Sequence, residues 1–197
     1  MSAIVCPRCY KDKSLCICDM IAPVPTKLHV LILQHPQEPD KELGSARIAN
    51  LALENSTLKV GLSWPNLSKA LGRPVVHANW GVLYLGGKSE HAERGSVTGA
   101  PLEGIVVLDG TWAQAKTMWW RNAWLLKLKR LILNPSRRSL YGKLRKEPRR
   151  ECLSTIESVA EALQQLGEHA SVPDALRGHF STLLRRYEAR QEPARHQ

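Results

Sequence analysis

Five short apolar runs constrain this chain more than any other feature: KLHVLILQ (27–34), TLKVG (57–61), WGVLYLGG (80–87), GIVVLDG (104–110) and KRLILN (129–134). Each is too short for a free-standing helix and rich in leucine, valine and isoleucine, so each reads as a buried strand. Between them lie stretches with helical spacing. Residues 41–55 place Leu43, Ile48, Leu51, Ala52 and Asn55 on one side of a helix, a second helix opens at Thr111, and a third runs through STIESVAEALQQL (154–166). Strands alternating with helices predict an α/β fold with a mostly parallel sheet flanked by helices. In such sheets the working loops lie at the carboxyl ends of the strands. That rule selects Gln34-His35, Leu85-Gly86-Gly87, Asp109-Gly110-Thr111 and the segment after Asn134.

The chain has 197 residues, which suits one compact domain, and its 43% hydrophobic content excludes wholesale disorder. No run reaches the ~20 apolar residues of a membrane span, and cysteines interrupt the N-terminus before any signal-peptide core. A cytoplasmic protein is expected. Four of the five cysteines, Cys6, Cys9, Cys16 and Cys18, fall within the first 18 residues. In a reducing compartment thiolates so clustered read as a structural zinc clip rather than as disulfides, with redox-active or incidental cysteines as the alternatives. The expected layout is a zinc-binding segment (1–25), a main domain (26–190) and a frayed tail (191–197).

Two places carry chemistry. Asp109 ends a strand, Gly110 follows, and Thr111 with Gln114 three residues on has the capping-box spacing. Such a helix start leaves first-turn N–H groups able to hold an anionic ligand group, beside a carboxylate that can accept a proton or bind an ammonium. The plain alternative is an ordinary strand-to-helix turn. Trp112, Trp119, Trp120 and Trp124 follow on the same helix; most are expected to be core, with Trp112 at the mouth able to face a ligand. Ser154 and Glu157 repeat the capping-box spacing beside Cys152 and Leu153, so two helix starts can converge on one ligand.

The net charge is +10, from 28 Lys and Arg against 18 Asp and Glu. Its excess is concentrated in Lys116, Arg121, Lys127, Lys129, Arg130, Arg137, Arg138, Lys143, Arg145, Lys146, Arg149 and Arg150, among which Glu147 is the only acid. A basic run of this kind, arginine-rich in its second half, points to phosphate contacts with nucleic acid. No G-x-x-x-x-G-K-[ST] loop is present, which argues against phosphoryl transfer from a nucleotide. His35, alone at a strand end, reads as a hydrogen-bonded structural residue.

Asp109-Gly110-Thr111-Trp112 resembles the D-x-T-W signature of the DTW-domain proteins. The likeness extends in order through the cysteine cluster, Gln34, His35, Pro36 and Glu38, then Ser45-Ala46-Arg47, and Leu153-Ser154-Thr155 with Glu157. It covers residues from about 6 to about 165. The resemblance implies a tRNA-uridine aminocarboxypropyltransferase, which moves the 3-amino-3-carboxypropyl group of S-adenosylmethionine to N3 of a uridine in the tRNA variable loop and releases methylthioadenosine. It implies a SPOUT-like fold with a C-terminal trefoil knot, an exception to the near-absence of knots. On this reading Asp109 is catalytic. Leu85, Gly86, Asp109, Gly110, Thr111, Trp112, Leu153, Ser154 and Thr155 surround S-adenosylmethionine, with Cys152 a neighbour of the pocket. Arg137, Arg138, Lys143, Arg145, Lys146, Arg149 and Arg150 meet tRNA, Cys6, Cys9, Cys16 and Cys18 hold Zn2+, and the protein acts as a monomer. An RNA methyltransferase, a ribosomal-RNA counterpart and a non-catalytic zinc-stabilised RNA-binding module are the competing readings.

Overall fold

The apolar runs become five strands: β1 (His29–Gln34), β2 (Ser56–Val60), β3 (Trp80–Tyr84), β4 (Gly104–Asp109) and β5 (Lys129–Ile132). They form one sheet in the order β2-β1-β4-β3-β5, with every pairing parallel. The computed structural model describes residues 4–84, 102–133, 135, 137–142, 144 and 153–191. The expected loop at Leu85-Gly86-Gly87, along with Asn134, lies outside the described residues.

Both faces of the sheet are covered, which is why the strands carry little polar alternation. Val30 and Ile32 of β1 with Ile105 and Val107 of β4 point into the larger core, while Leu31, Leu33 and Val106 point into the smaller one. The larger core is closed by α1 (Ala46–Ala52), α4 (Thr155–Gln165) and α5 (Ser171–Gln191). Phe180 of α5 is fully buried there, and its ring meets Tyr141 edge-on at 5.1 Å between centroids. The N-terminal segment joins the same core through Leu15, Ile17 and Ile21. On the opposite face α2 (Leu67–Leu71) and a 3-10 turn at Ala123–Lys127 pack Leu67, Trp124 and Leu125 around Trp80. No helix among the described residues is long and apolar enough to cross a membrane.

Three elements differ from the sequence expectation, each for a physical reason. The helix expected over 41–55 is confined to α1, because residues 35–44 make successive tight turns and Leu53 leaves the helix to bridge Val24. Trp124 sits on the 3-10 turn after α3 (Trp112–Arg121), where its indole N–H donates to the Trp64 carbonyl at 2.9 Å. Trp120, one of the tryptophans most of which are expected in the core, is 70% exposed. Helix α5 has no counterpart among the elements expected from the sequence. Its buried Val172, Leu176, Phe180 and Leu183 do follow helical spacing, and Pro173 is tolerated because it stands in the first turn.

Gly104 opens β4 against the neighbouring strands. A Cβ there would stand 2.5 Å from the His29 carbonyl oxygen and 2.6 Å from the Trp80 ring, both too rigid to yield. Gly104→Ala is therefore expected to cost about 1–3 kcal/mol of stability, read as an earlier midpoint in urea unfolding; an unchanged midpoint would show that β3 and β4 are less tightly joined than described.

Candidate functional site

The register of β1 on β4 pairs Gln34 with Asp109, so two strands end side by side at the carboxyl edge of the sheet. The Asp109 carboxylate is 7% exposed and anchored at both oxygens. The Gln34 amide donates to Oδ2 at 2.9 Å, and the Thr155 hydroxyl donates to Oδ1. A carboxylate held this way keeps its orientation and still has acceptor capacity.

Two helix starts stand over it. At α3 the Thr111 side chain accepts from the Gln114 N–H, while Gln114 Oε1 accepts from the Thr111 N–H at 2.6 Å. At α4 Ser154 and Glu157 make the same reciprocal box. Ser45, just before α1, adds a further acceptor, taking the Ile156 N–H at 3.1 Å. The positive ends of the two helices favour an anionic group between them.

A cavity of about 660 Å³ opens at this place. Its wall contains Asp109, Gly110, Thr111, Trp112, Leu153, Ser154 and Thr155, so these expected pocket residues come together. Leu85, Gly86 and Cys152 lie outside the described residues. So do Lys143, Arg145, Lys146, Arg149 and Arg150 of the basic run; Arg137 and Arg138 are described and exposed.

The structure adds residues that pattern reading did not assign to the pocket. The turns at 38–45 supply Glu38, Asp40, Lys41 and Glu42 to the rim, and Tyr187 reaches the cavity from α5. Burial, and then the nearby Asp109 charge, push the Glu38 carboxyl above its ordinary value. Glu157 does more than cap α4: Oε2 accepts from the Ser154 N–H and hydroxyl and from the Ser139 hydroxyl, and Oε1 accepts from the Leu140 N–H at 2.6 Å. The local spacing of Ser154 and Glu157 carries no signal for this second duty, which is set by a hydroxyl and a backbone N–H eighteen and seventeen residues away.

The cysteine cluster forms beside the rim. The four Sγ atoms of Cys6, Cys9, Cys16 and Cys18 lie within 4.8 Å of one another, and Cys6 Sγ is 3.9 Å from Cys18 Sγ. Four thiolates bound tetrahedrally at ~2.3 Å stand roughly 3.8 Å apart, so the set fits a metal ion. The Cys9 N–H draws the Cys6 thiol down to about 6, whereas burial pushes Cys9 and Cys18 up. The cluster is tied to the cavity by Lys11, whose buried ammonium donates to the carbonyls of Lys41 and Glu42 at 3.1 and 2.7 Å. Burial lowers that ammonium to about 8. Arg47 of α1 stacks 3.9 Å from the Tyr10 ring centroid on the same clip, and Arg190 of α5 pairs with Glu42.

The DTW domain model matches residues 3–188, and the chain belongs to that family. It is similar to proteins named tRNA-uridine aminocarboxypropyltransferase 2: 29% identical to that of Macaca fascicularis over 87% of this chain and 59% of the relative, and 28% identical to that of Mus musculus over the same shares. The Drosophila melanogaster protein of the same name is 28% identical over 91% of this chain and 73% of its own length. The chain thus spans about three fifths of the two mammalian relatives. No solved structure matches it.

The wild-type chain is expected to carry about one metal ion per molecule, and Cys9→Ser and Cys18→Ser are each expected to lose it, as read by atomic emission after gel filtration. A lower melting temperature should accompany the loss, since the ion's binding energy contributes to folding. Wild-type protein free of metal and equally stable would identify the cluster as reduced thiols only.

Proposed function

We propose that this chain is a tRNA-uridine aminocarboxypropyltransferase that takes the 3-amino-3-carboxypropyl group from S-adenosylmethionine and places it on N3 of a uridine in the tRNA variable loop. The observation that carries the reading is the doubly anchored Asp109 carboxylate at a cavity flanked by two helix N-termini. The name shared by the relatives supports it.

The lining suits the donor. Its ammonium and sulfonium charges match the carboxylates of Asp109, Glu38, Asp40 and Glu42, its carboxylate matches the helix starts at Thr111 and Ser154, and Trp112, Leu43, Leu144 and Leu153 offer apolar wall for the adenine. Bound there, S-adenosylmethionine supplies the electrophile: N3 of the uridine bonds to the γ-carbon, the carbon–sulfur bond breaks, and methylthioadenosine leaves. The chain's own part is to choose which carbon faces the nucleophile and to receive the N3 proton. Asp109, which lines the cavity, takes the second task in this reading, and its hydrogen bonds from Gln34 and Thr155, which fix its orientation, support that role.

The same reading assigns structural Zn2+ to the four cysteines and tRNA phosphates to Arg137, Arg138, Lys143, Arg145, Lys146, Arg149 and Arg150. It treats residues 26–190 as a monomeric, cytoplasmic, SPOUT-like domain with the clip before it. The return of the chain from β5 at the sheet edge to α4 over the centre supports the SPOUT-like reading. A C-terminal trefoil knot belongs to the same reading; residues 134, 136, 143 and 145–152 between β5 and α4 lie outside the described residues.

Incubating the protein with S-adenosylmethionine and unmodified tRNA is expected to yield methylthioadenosine and a heavier uridine by mass spectrometry. S-adenosylhomocysteine would instead mark a methyltransferase, and neither product would mark a binding module. Asp109→Asn keeps the shape of the side chain but not its basicity. It is expected to lower kcat by about 100-fold or more, a larger loss than the weaker donor binding that follows from removing one carboxylate of the lining; full turnover would remove Asp109 from the chemistry.

A further inference from the structure

The outer side of α3 carries aromatic surface of which transfer at Asp109 uses only the cavity-facing end, at Trp112. Trp112 is 51% exposed and Trp120 is 70% exposed, although an indole left in water forgoes the burial that normally decides where tryptophan goes. The two stand in one row with exposed Lys116 between them, and exposed Thr117 and Arg121 lie in the row alongside. At 1.5 Å per residue the row from Trp112 to Trp120 extends about 12 Å, roughly three stacked nucleotides at ~3.4 Å each.

Charge selects the occupant. No acidic residue occurs from Gly110 through Lys146, so this segment contributes cations and aromatic rings but no carboxylate of its own, the acidic rim at 38–42 lying at its cavity end. Lys127 and Arg130, both exposed, extend the same character beyond the helix, and the Arg130 guanidinium stands 5.8 Å from the Trp119 ring centroid. A protein partner with mixed charges gains little from such a surface. A polyanion whose units each present a π-face matches both components. The row is also continuous with the cavity, because Trp112 lines it.

We propose that the outer face of α3, from Trp112 through Lys116 to Trp120, is a stacking platform for unpaired RNA bases that flank the nucleotide entering the cavity. The platform rests on the reading of RNA as substrate and adds to it a second contact surface, apart from the basic run at 137–150. Lys116 and Arg121 meet phosphates while Trp120 and the exposed outer part of Trp112 take base faces, so recognition there favours unpaired over double-helical RNA.

The test is RNA binding by the full chain, measured by fluorescence anisotropy with labelled unmodified tRNA and with a short unstructured RNA. Trp120→Ala is expected to weaken both about tenfold, Trp120→Tyr to restore most of the affinity, and Lys116→Glu to weaken binding while S-adenosylmethionine affinity by calorimetry stays at the wild-type value. Unchanged RNA affinity in Trp120→Ala overturns the platform. So does a wild-type dimer that dissociates on this substitution with RNA affinity intact, since the occupant is then a second copy of the chain. Because the readout is binding, RNA affinity that depends on Trp120 in a protein yielding no methylthioadenosine supports the platform and overturns the transferase reading; transfer with Trp120→Ala fully active and fully bound to tRNA does the reverse.

Discussion

Everything at the site depends on how β1 lies against β4. Parallel pairing in a register that matches His29 with Gly104 and Gln34 with Asp109 ends both strands at one level. A slip of one residue would turn each side chain to the opposite face. Here it would carry Val30, Ile32, Ile105 and Val107 out of the larger core and remove Gln34 from Asp109 together. The buried apolar residues that hold the register therefore also position the one carboxylate at the cavity floor, and folding energy and site geometry come from the same contacts.

A second layer of organisation runs through the N-terminal segment. Lys11 fastens the turns at 41–42, Arg47 stacks on Tyr10, and Leu51 packs against the cysteines, so the clip abuts the wall of the cavity rather than a remote surface. The interior placement of Leu15 and Ile17 makes the clip part of the common core. A small element that cannot bury enough surface alone thereby gains a rigid mounting, and the rim gains a fixed backbone at the point where short turns have no ladder of their own.

Much of this was legible in the chain. Buried parallel strands reveal themselves as uninterrupted apolar runs, and both capping boxes are local patterns, so the sheet, α3, α4 and Asp109 at a strand end could be read directly. What was not legible depends on distant contacts. The acidic rim at 38–42 acquires its place from Lys11 and Arg190, far away in sequence. Trp120 and Trp124 are the same residue type four positions apart, yet one faces water and the other the smaller core, because the helix ends at Arg121 and the chain changes direction. Spacing on an assumed continuous helix cannot reveal that break. For α5 the signal was present in Val172, Leu176, Phe180 and Leu183, but proline, glycine and many charges dilute it.

Glu157 serves two neighbourhoods with one carboxylate, the start of α4 and the backbone at Leu140. Residues that share an acceptor cannot drift apart in evolution independently. A change that reshapes the loop at 139–140 alters the helix start next to Thr155, and a change that spoils the cap releases the loop. The loop at 139–140 and the start of α4 are thereby one mechanical unit, and a substitution in either is transmitted to Thr155 beside Asp109.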